Sequence, residues 1–127
     1  MAVPALPNAT GAMNGGCLVV TVMPQQVRET AIAYSLRDEI VALVDSSQTR
    51  DLVLDAGNLQ FLGSIGFLAF LGVRRHLGDG RIILCNLSFA VREMFAVCRL
   101  ISTDGAKAAP FEVAATVEAA VARLAGP

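Results

Sequence analysis

The sequence predicts an α/β domain, a mixed and mostly parallel β-sheet of about four or five strands with about four helices. Three observations carry this. Apolar runs of strand length, such as Leu18-Val-Val-Thr-Val-Met23 and Ile82-Ile-Leu-Cys85, are bounded by turn formers. Longer stretches between them repeat apolar residues at helical spacing. Strands that alternate with helices pair in parallel, because each helix carries the chain back to the edge where the previous strand began.

Taken in order, residues 1–16 hold two prolines and three glycines and read as a mobile tail with room for one short extended segment. The domain proper is expected over residues 17–127. Leu18 to Met23, between Gly16 and Pro24, is a buried strand, and Pro24-Gln-Gln-Val-Arg28 connects it to the next element. From Glu29 to Val44 the apolar residues Ile32, Leu36, Ile40, Leu43 and Val44 mark one face of a helix, with Arg37, Asp38 and Glu39 on its wet side. A polar loop from Asp45 to Arg50 leads to the strand Leu52-Val-Leu54, closed by Asp55, Gly57 and Asn58.

After Phe61-Leu62, the ten residues from Ser64 to Val73 carry no charge, and Arg74-Arg75-His76-Leu77-Gly78 ends them as a helix ends. Ser64 is the natural N-cap of that helix, since its hydroxyl can accept from the unpaired first-turn N–H groups. Gly72, without a side chain, is expected to let the helix approach the sheet. Beyond the turn Gly78-Asp79-Gly80, Arg81 to Cys85 is another buried strand. Asn86 or Ser88 can cap a helix from Phe89 to Cys98 that turns Val91, Met94, Phe95 and Cys98 inward. Arg99 to Ala109 is irregular, with Ile101 a short strand position, and Phe111-Glu-Val113 is a last edge strand. Thr116 then caps Val117 to Leu124, whose Val117, Ala120, Val121 and Leu124 form one apolar stripe.

At 127 residues, with 54% hydrophobic and 17% charged residues, the chain has enough apolar material for one well-formed core. A net charge of -1 gives no general attraction to nucleic acid or to an anionic membrane. The basic residues Arg74, Arg75, His76 and Arg81 read as a helix C-terminus dressed with cations. Cys17, Cys85 and Cys98 are odd in number, lack metal-type spacing and sit among apolar neighbours, as small core residues of a reduced cytoplasmic protein do. The N-terminus shows no signal-peptide pattern, and no run is long enough to span a bilayer.

The residues of catalysis are missing as sets. The one histidine, His76, has no carboxylate near it in sequence to orient it and reads as a solvent-facing helix end. Gly63-Ser64-Ile65-Gly66 lacks the first glycine of a nucleophile elbow, Leu62 standing in its place. No phosphate-cradling glycine loop is present, and Asp51, Asp55, Glu93 and Asp104 are scattered. The chain therefore reads as a binding module without catalytic residues, cofactor or metal, not as an enzyme.

Three stretches in order, Leu52-Val-Leu-Asp-Ala-Gly-Asn-Leu-Gln-Phe-Leu-Gly-Ser-Ile-Gly-Phe-Leu68, Gly80-Arg-Ile-Ile-Leu-Cys-Asn-Leu-Ser88 and Val91-Arg-Glu-Met-Phe-Ala-Val-Cys-Arg-Leu-Ile101, strongly resemble a STAS domain of the bacterial anti-sigma factor antagonists. The resemblance spans about residues 17 to 125 and implies a single-domain STAS-like fold. It implies a regulator of partner switching in signal transduction and transcription, and an anti-sigma factor that is also a serine kinase of the histidine-kinase-like ATPase type as the partner. It makes Ser64 the phosphoacceptor, and Gln25, Gln26, Leu62, Gly63, Ser64, Ile65, Gly66 and Phe67 the partner-binding residues. Two positions depart from the family pattern: Gly63 stands where the family carries an aspartate, and Met23-Pro-Gln-Gln26 replaces its usual Gly-Glu-Leu-Asp. An alternative is a STAS scaffold or transporter-associated subunit in which Ser64 is never modified.

Overall fold

The computed structural model describes residues 6–101 and 109–126. The elements run β1 (Ala9–Asn14), β2 (Cys17–Val22), β3 (Gln26–Val27), α1 (Thr30–Ser47), β4 (Leu52–Asp55), β5 (Phe61–Leu62), α2 (Ser64–Leu77), β6 (Ile82–Cys85), α3 (Phe89–Val97), β7 (Glu112–Ala114) and α4 (Val117–Ala125). Five of the strands form one sheet in the order β1-β2-β4-β6-β7. Its β2, β4, β6 and β7 are parallel, and β1 pairs antiparallel with β2. The expected mixed, mostly parallel sheet with four helices is the fold observed.

Alternation along the parallel strands separates two cores, as the pleat requires. Leu18, Val20, Leu52, Leu54, Ile82 and Leu84 face α1, α2 and α3. Val19, Val53, Ile83 and Cys85 face the other way and are covered by α4 through Val117, Ala120, Val121 and Leu124. The Phe70, Phe95 and Phe111 rings pack edge to face, with centroids 5.9 to 6.5 Å apart, and tie α2 and α3 to the β7 side of the sheet.

Several local expectations change. The stretch read as a mobile tail supplies β1, because Gly15 and Gly16 both adopt positive φ and make the tight reversal of a hairpin. The Glu39 carboxylate of α1 pins the start of that strand, accepting from the Asn8 N–H and Nδ2 and from the Ala9 N–H at 2.8, 2.8 and 3.1 Å. The first helix continues past Val44 to Ser47 and stops where Gln48 turns left-handed. Gly72 faces α1, not the sheet: a Cβ there would meet the Arg37 side chain at 2.8 Å.

Of the cysteines only Cys85 is a core residue. Burial pushes its thiol up to about 11. Cys17 is half-buried, and Cys98 is exposed. α3 ends at Val97, Arg99 takes a positive φ, and Leu100 turns into the core in place of Cys98. Asp104 and most of the irregular stretch after Arg99 lie outside the described residues.

Side-chain caps fall where the sequence puts them on the last two helices. Ser88 accepts from the Val91 N–H and Thr116 from the Ala119 N–H. Arg74 closes the C-terminus of α2 by donating to the carbonyls of Gly78, Gly80 and Pro110. Across β6 and β7, Arg81 holds Glu112 in a fork of two 2.7 Å bonds, which keeps that carboxyl below the usual glutamate range.

Two predictions follow from this packing. A Cβ on Gly80 would overlap the Arg50 carbonyl oxygen, whereas one on Gly72 meets only the flexible stem of Arg37. Gly80→Ala is therefore expected to lower stability by about 2 kcal/mol or more, and Gly72→Ala to change it by less than about 1 kcal/mol. Chemical denaturation of the two variants checks the ranking. Glu112 has a lowered pKa, so its contribution is fully present above the unfolded value of about 4.3 and disappears as pH falls through the folded one. Its side chain is 36% exposed, so the contribution is under about 1 kcal/mol. The difference in Tm between the wild type and Glu112→Gln should shrink on acidification below about pH 4.3.

Candidate functional site

The site is built on the two-residue parallel pair of β3 and β5, a ledge beside the main sheet. Leu62 and Val27 are buried, and their core contacts hold the pair down. The Gln25 carbonyl accepts from the N–H groups of both Gln60 and Phe61, at 2.7 and 3.1 Å. One step on, the Gly63 N–H donates to the Val27 carbonyl at 2.9 Å. These bonds fix the chain as it turns into α2.

Gly63, not Ser64, is the N-cap. Its backbone is extended (φ -79, ψ 176), and its carbonyl accepts from the Gly66 and Phe67 N–H groups at 2.9 and 3.2 Å. Ser64 is already the first helical residue, so its hydroxyl makes no cap bond and stands exposed. The sequence placed the helix start correctly and misassigned the cap, because a serine beside a glycine does not reveal which of the two leaves the helical region first.

Around that hydroxyl, Gly63, Ile65 and Phe67 are half-buried, and Leu68, one turn further on the same face, is 60% exposed. Gln26 of the neighbouring strand, directly opposite Phe61, and Gln25 just before that strand are both exposed. Leu62 and Gly66 are buried and shape the surface from beneath instead of forming part of it. A Cβ on Gly66 would come within 2.9 Å of Leu62 Cγ and 3.2 Å of Val27 Cγ1, so the missing side chain is what lets the first turn of α2 rest on the ledge.

Arg28 escaped the sequence reading. It follows β3, and its guanidinium lies over the Phe61 ring, 4.4 Å from the centroid. Nothing in the linear sequence signals this contact, which depends on the short strand pair. The pairing of His76 with Asp45 was equally hidden: His76 Nε2 lies 2.7 Å from Asp45 Oδ1, joining the C-terminal ends of α1 and α2. That pair borders an open cavity of about 310 Å³, also lined by Thr49, Arg50 and Leu77, at the far end of α2 from Ser64. Asp55 closes its own turn by accepting from the Gly57 N–H and from Asn86 Nδ2 at 3.0 and 3.1 Å.

Comparison with known proteins places this geometry in a family. The STAS domain family model matches residues 14–120. The chain belongs to the STAS domain family. Its sequence is 36% identical over 100 residues to the Bordetella bronchiseptica protein named "Putative anti-sigma factor antagonist BtrV", covering 77% of this chain and 79% of that one. The fold matches that of an anti-sigma-factor antagonist (STAS) domain protein from Planctomyces limnophilus, with a TM-score of 0.75 at 18% identity, covering 93% of this chain and 98% of the other. It also matches the anti-sigma factor antagonist SpoIIAA in its unphosphorylated form, with a TM-score of 0.65 at 22% identity, over 94% of this chain and 99% of that one.

Among the described residues of this STAS domain, no helix is long and apolar enough to cross a membrane. No group of three or more His, Cys, Asp or Glu side chains among them could hold a metal ion.

The cap position yields a prediction of its own. A Cβ on Gly63 would meet only ordinary contacts, 3.4 Å from the Val27 carbonyl oxygen and 3.7 Å from Arg28 Cα. Gly63→Asp should therefore fold normally and place a carboxylate cap on α2, raising stability by about 0.5 kcal/mol. A rise in Tm of the purified variant checks this.

Proposed function

We propose that this STAS domain is an anti-sigma factor antagonist of the cytoplasm that binds an anti-sigma factor of the histidine-kinase-like ATPase type and is released when that partner phosphorylates Ser64. The reading rests above all on the exposed Ser64 at the head of α2, whose hydroxyl makes no cap bond and has no hydrogen-bond partner among the described residues, ringed by the half-buried Ile65 and Phe67 and the exposed Leu68. The names carried by the similar proteins support the role in the same direction.

Transfer moves the γ-phosphoryl group of ATP to Ser64 Oγ, which gives up its proton, and ADP leaves. The new group carries about -1.5 to -2 charges and three acceptor oxygens. Its own helix accepts it, because a helix N-terminus favours an anion by about 0.3–1 kcal/mol. A partner packed on Ile65, Phe67 and Leu68 does not, because docking would strip water from the phosphate against an apolar surface. Affinity changes while the fold stays.

Gly63 favours a second reading, a STAS scaffold or transporter-associated subunit with Ser64 unmodified, since the family aspartate is absent beside the hydroxyl. Incubation with ATP and the histidine-kinase-like ATPase encoded nearest to this chain, followed by intact mass measurement, separates the two readings. One added phosphate that is lost in Ser64→Ala supports the switch, and an unchanged mass supports the scaffold. In the same system Ser64→Asp should weaken binding to the ATPase at least about tenfold, a difference of about 1.4 kcal/mol, while Ser64→Ala binds constitutively. Equal affinity of the two variants would rule the switch out.

A further inference from the structure

We propose that Arg28 is the residue that holds the phosphate once Ser64 carries it. This rests on Ser64 being the phosphoacceptor.

Four contacts bring Arg28 to the spot. Its neighbour Val27 accepts the Gly63 N–H, and Arg28 Cα lies 3.7 Å from where a Cβ on Gly63 would stand. The Phe61 ring borders the same point at 3.8 Å, and the Arg28 guanidinium lies over that ring. The backbone puts Arg28 Cα beside the residue that directly precedes Ser64, and the ring holds its guanidinium over Phe61.

The side chain is also unspent. Among the described residues, Arg37, Arg81 and Arg123 each pair with a carboxylate, and Arg28 pairs with none. Stacking engages only the face of a guanidinium. Its in-plane N–H groups remain available as a fork that matches two phosphate oxygens. Gly63 completes the arrangement. A Cβ at that position meets only ordinary contacts, 3.7 Å from Arg28 Cα, so a carboxylate carried there would compete for the guanidinium. With glycine there, the first anion to arrive at this corner is the phosphate itself.

The arrangement adds a second element to the switch. Phosphate drawn onto Arg28 lies across the ledge beside Phe61 and Gln26, so the partner loses the strand side of its docking surface as well as the head of α2.

The test uses full-length protein made with phosphoserine incorporated at position 64 during translation, so no kinase is needed. The phosphate is titrated by phosphorus NMR in the wild-type background and in Arg28→Gln, Arg28→Lys and Gly63→Asp. An exposed phosphoserine titrates near about 6. The wild-type midpoint is expected about half a pH unit lower. Arg28→Gln should return it most of the way, Arg28→Lys should keep part of the shift, and Gly63→Asp should raise it by competition. A wild-type midpoint at the exposed value, or a lowered midpoint that Arg28→Gln leaves in place, would overturn the assignment, the latter tracing the shift to the helix terminus alone. Because the phosphate is built in, this outcome is independent of whether the ATPase ever modifies Ser64, which the mass measurement above decides.

Discussion

The short parallel pairing of β3 with β5 is the constraint on which the site depends. Alone, a two-residue ladder would not persist in water. It persists here because Val27 and Leu62 are sealed into the core and because the Gln25 carbonyl takes two N–H groups from the approaching loop. Gly66 then lets the first turn of α2 settle on Leu62 and Val27 with nothing between. Were any of these lost, the helix would still pack through Ala69, Phe70 and Val73, but its head would no longer stand in a defined place.

The residues of the site divide by depth. Leu62 and Gly66 are below the surface and set its shape. Ser64, Leu68, Gln25 and Gln26 are above it and can meet a partner. Ile65 and Phe67 lie between, anchored on the core and open at one side; the Phe67 ring meets Phe95 of α3 edge to face at 5.1 Å. A group added to Ser64 would therefore alter the surface without reaching the supports beneath it, which is how the proposed switch would separate signalling from folding. The opposite end of α2, where Arg74 binds three backbone carbonyls and His76 meets Asp45, is occupied with holding the helix in place.

Much of this is legible in the residues themselves. β-branched runs such as Leu18 to Val22 are buried on both faces wherever helices cover both sides, and they show as continuous apolar stretches. The helices show through their apolar spacing, and Ser88 and Thr116 mark their own caps, because these signals lie within a few residues of one another. The Ser64 loop stands out for a similar reason: a hydroxyl heads ten residues without a charge, and two arginines close the run.

What the sequence by itself determined is the order and type of the four parallel strands of the main sheet and the four helices, the family, and the one serine at the head of the central helix, all carried by local pattern. Only the tertiary structure decided that the glycine-rich start becomes an edge strand, that Gly63 and not Ser64 caps the helix, that Cys98 faces solvent, and that Arg28 lies beside Gly63. Each of these depends on a contact between residues far apart in the chain, or on a backbone angle set by such a contact. No spacing along a single strand or helix encodes which neighbour will arrive from elsewhere.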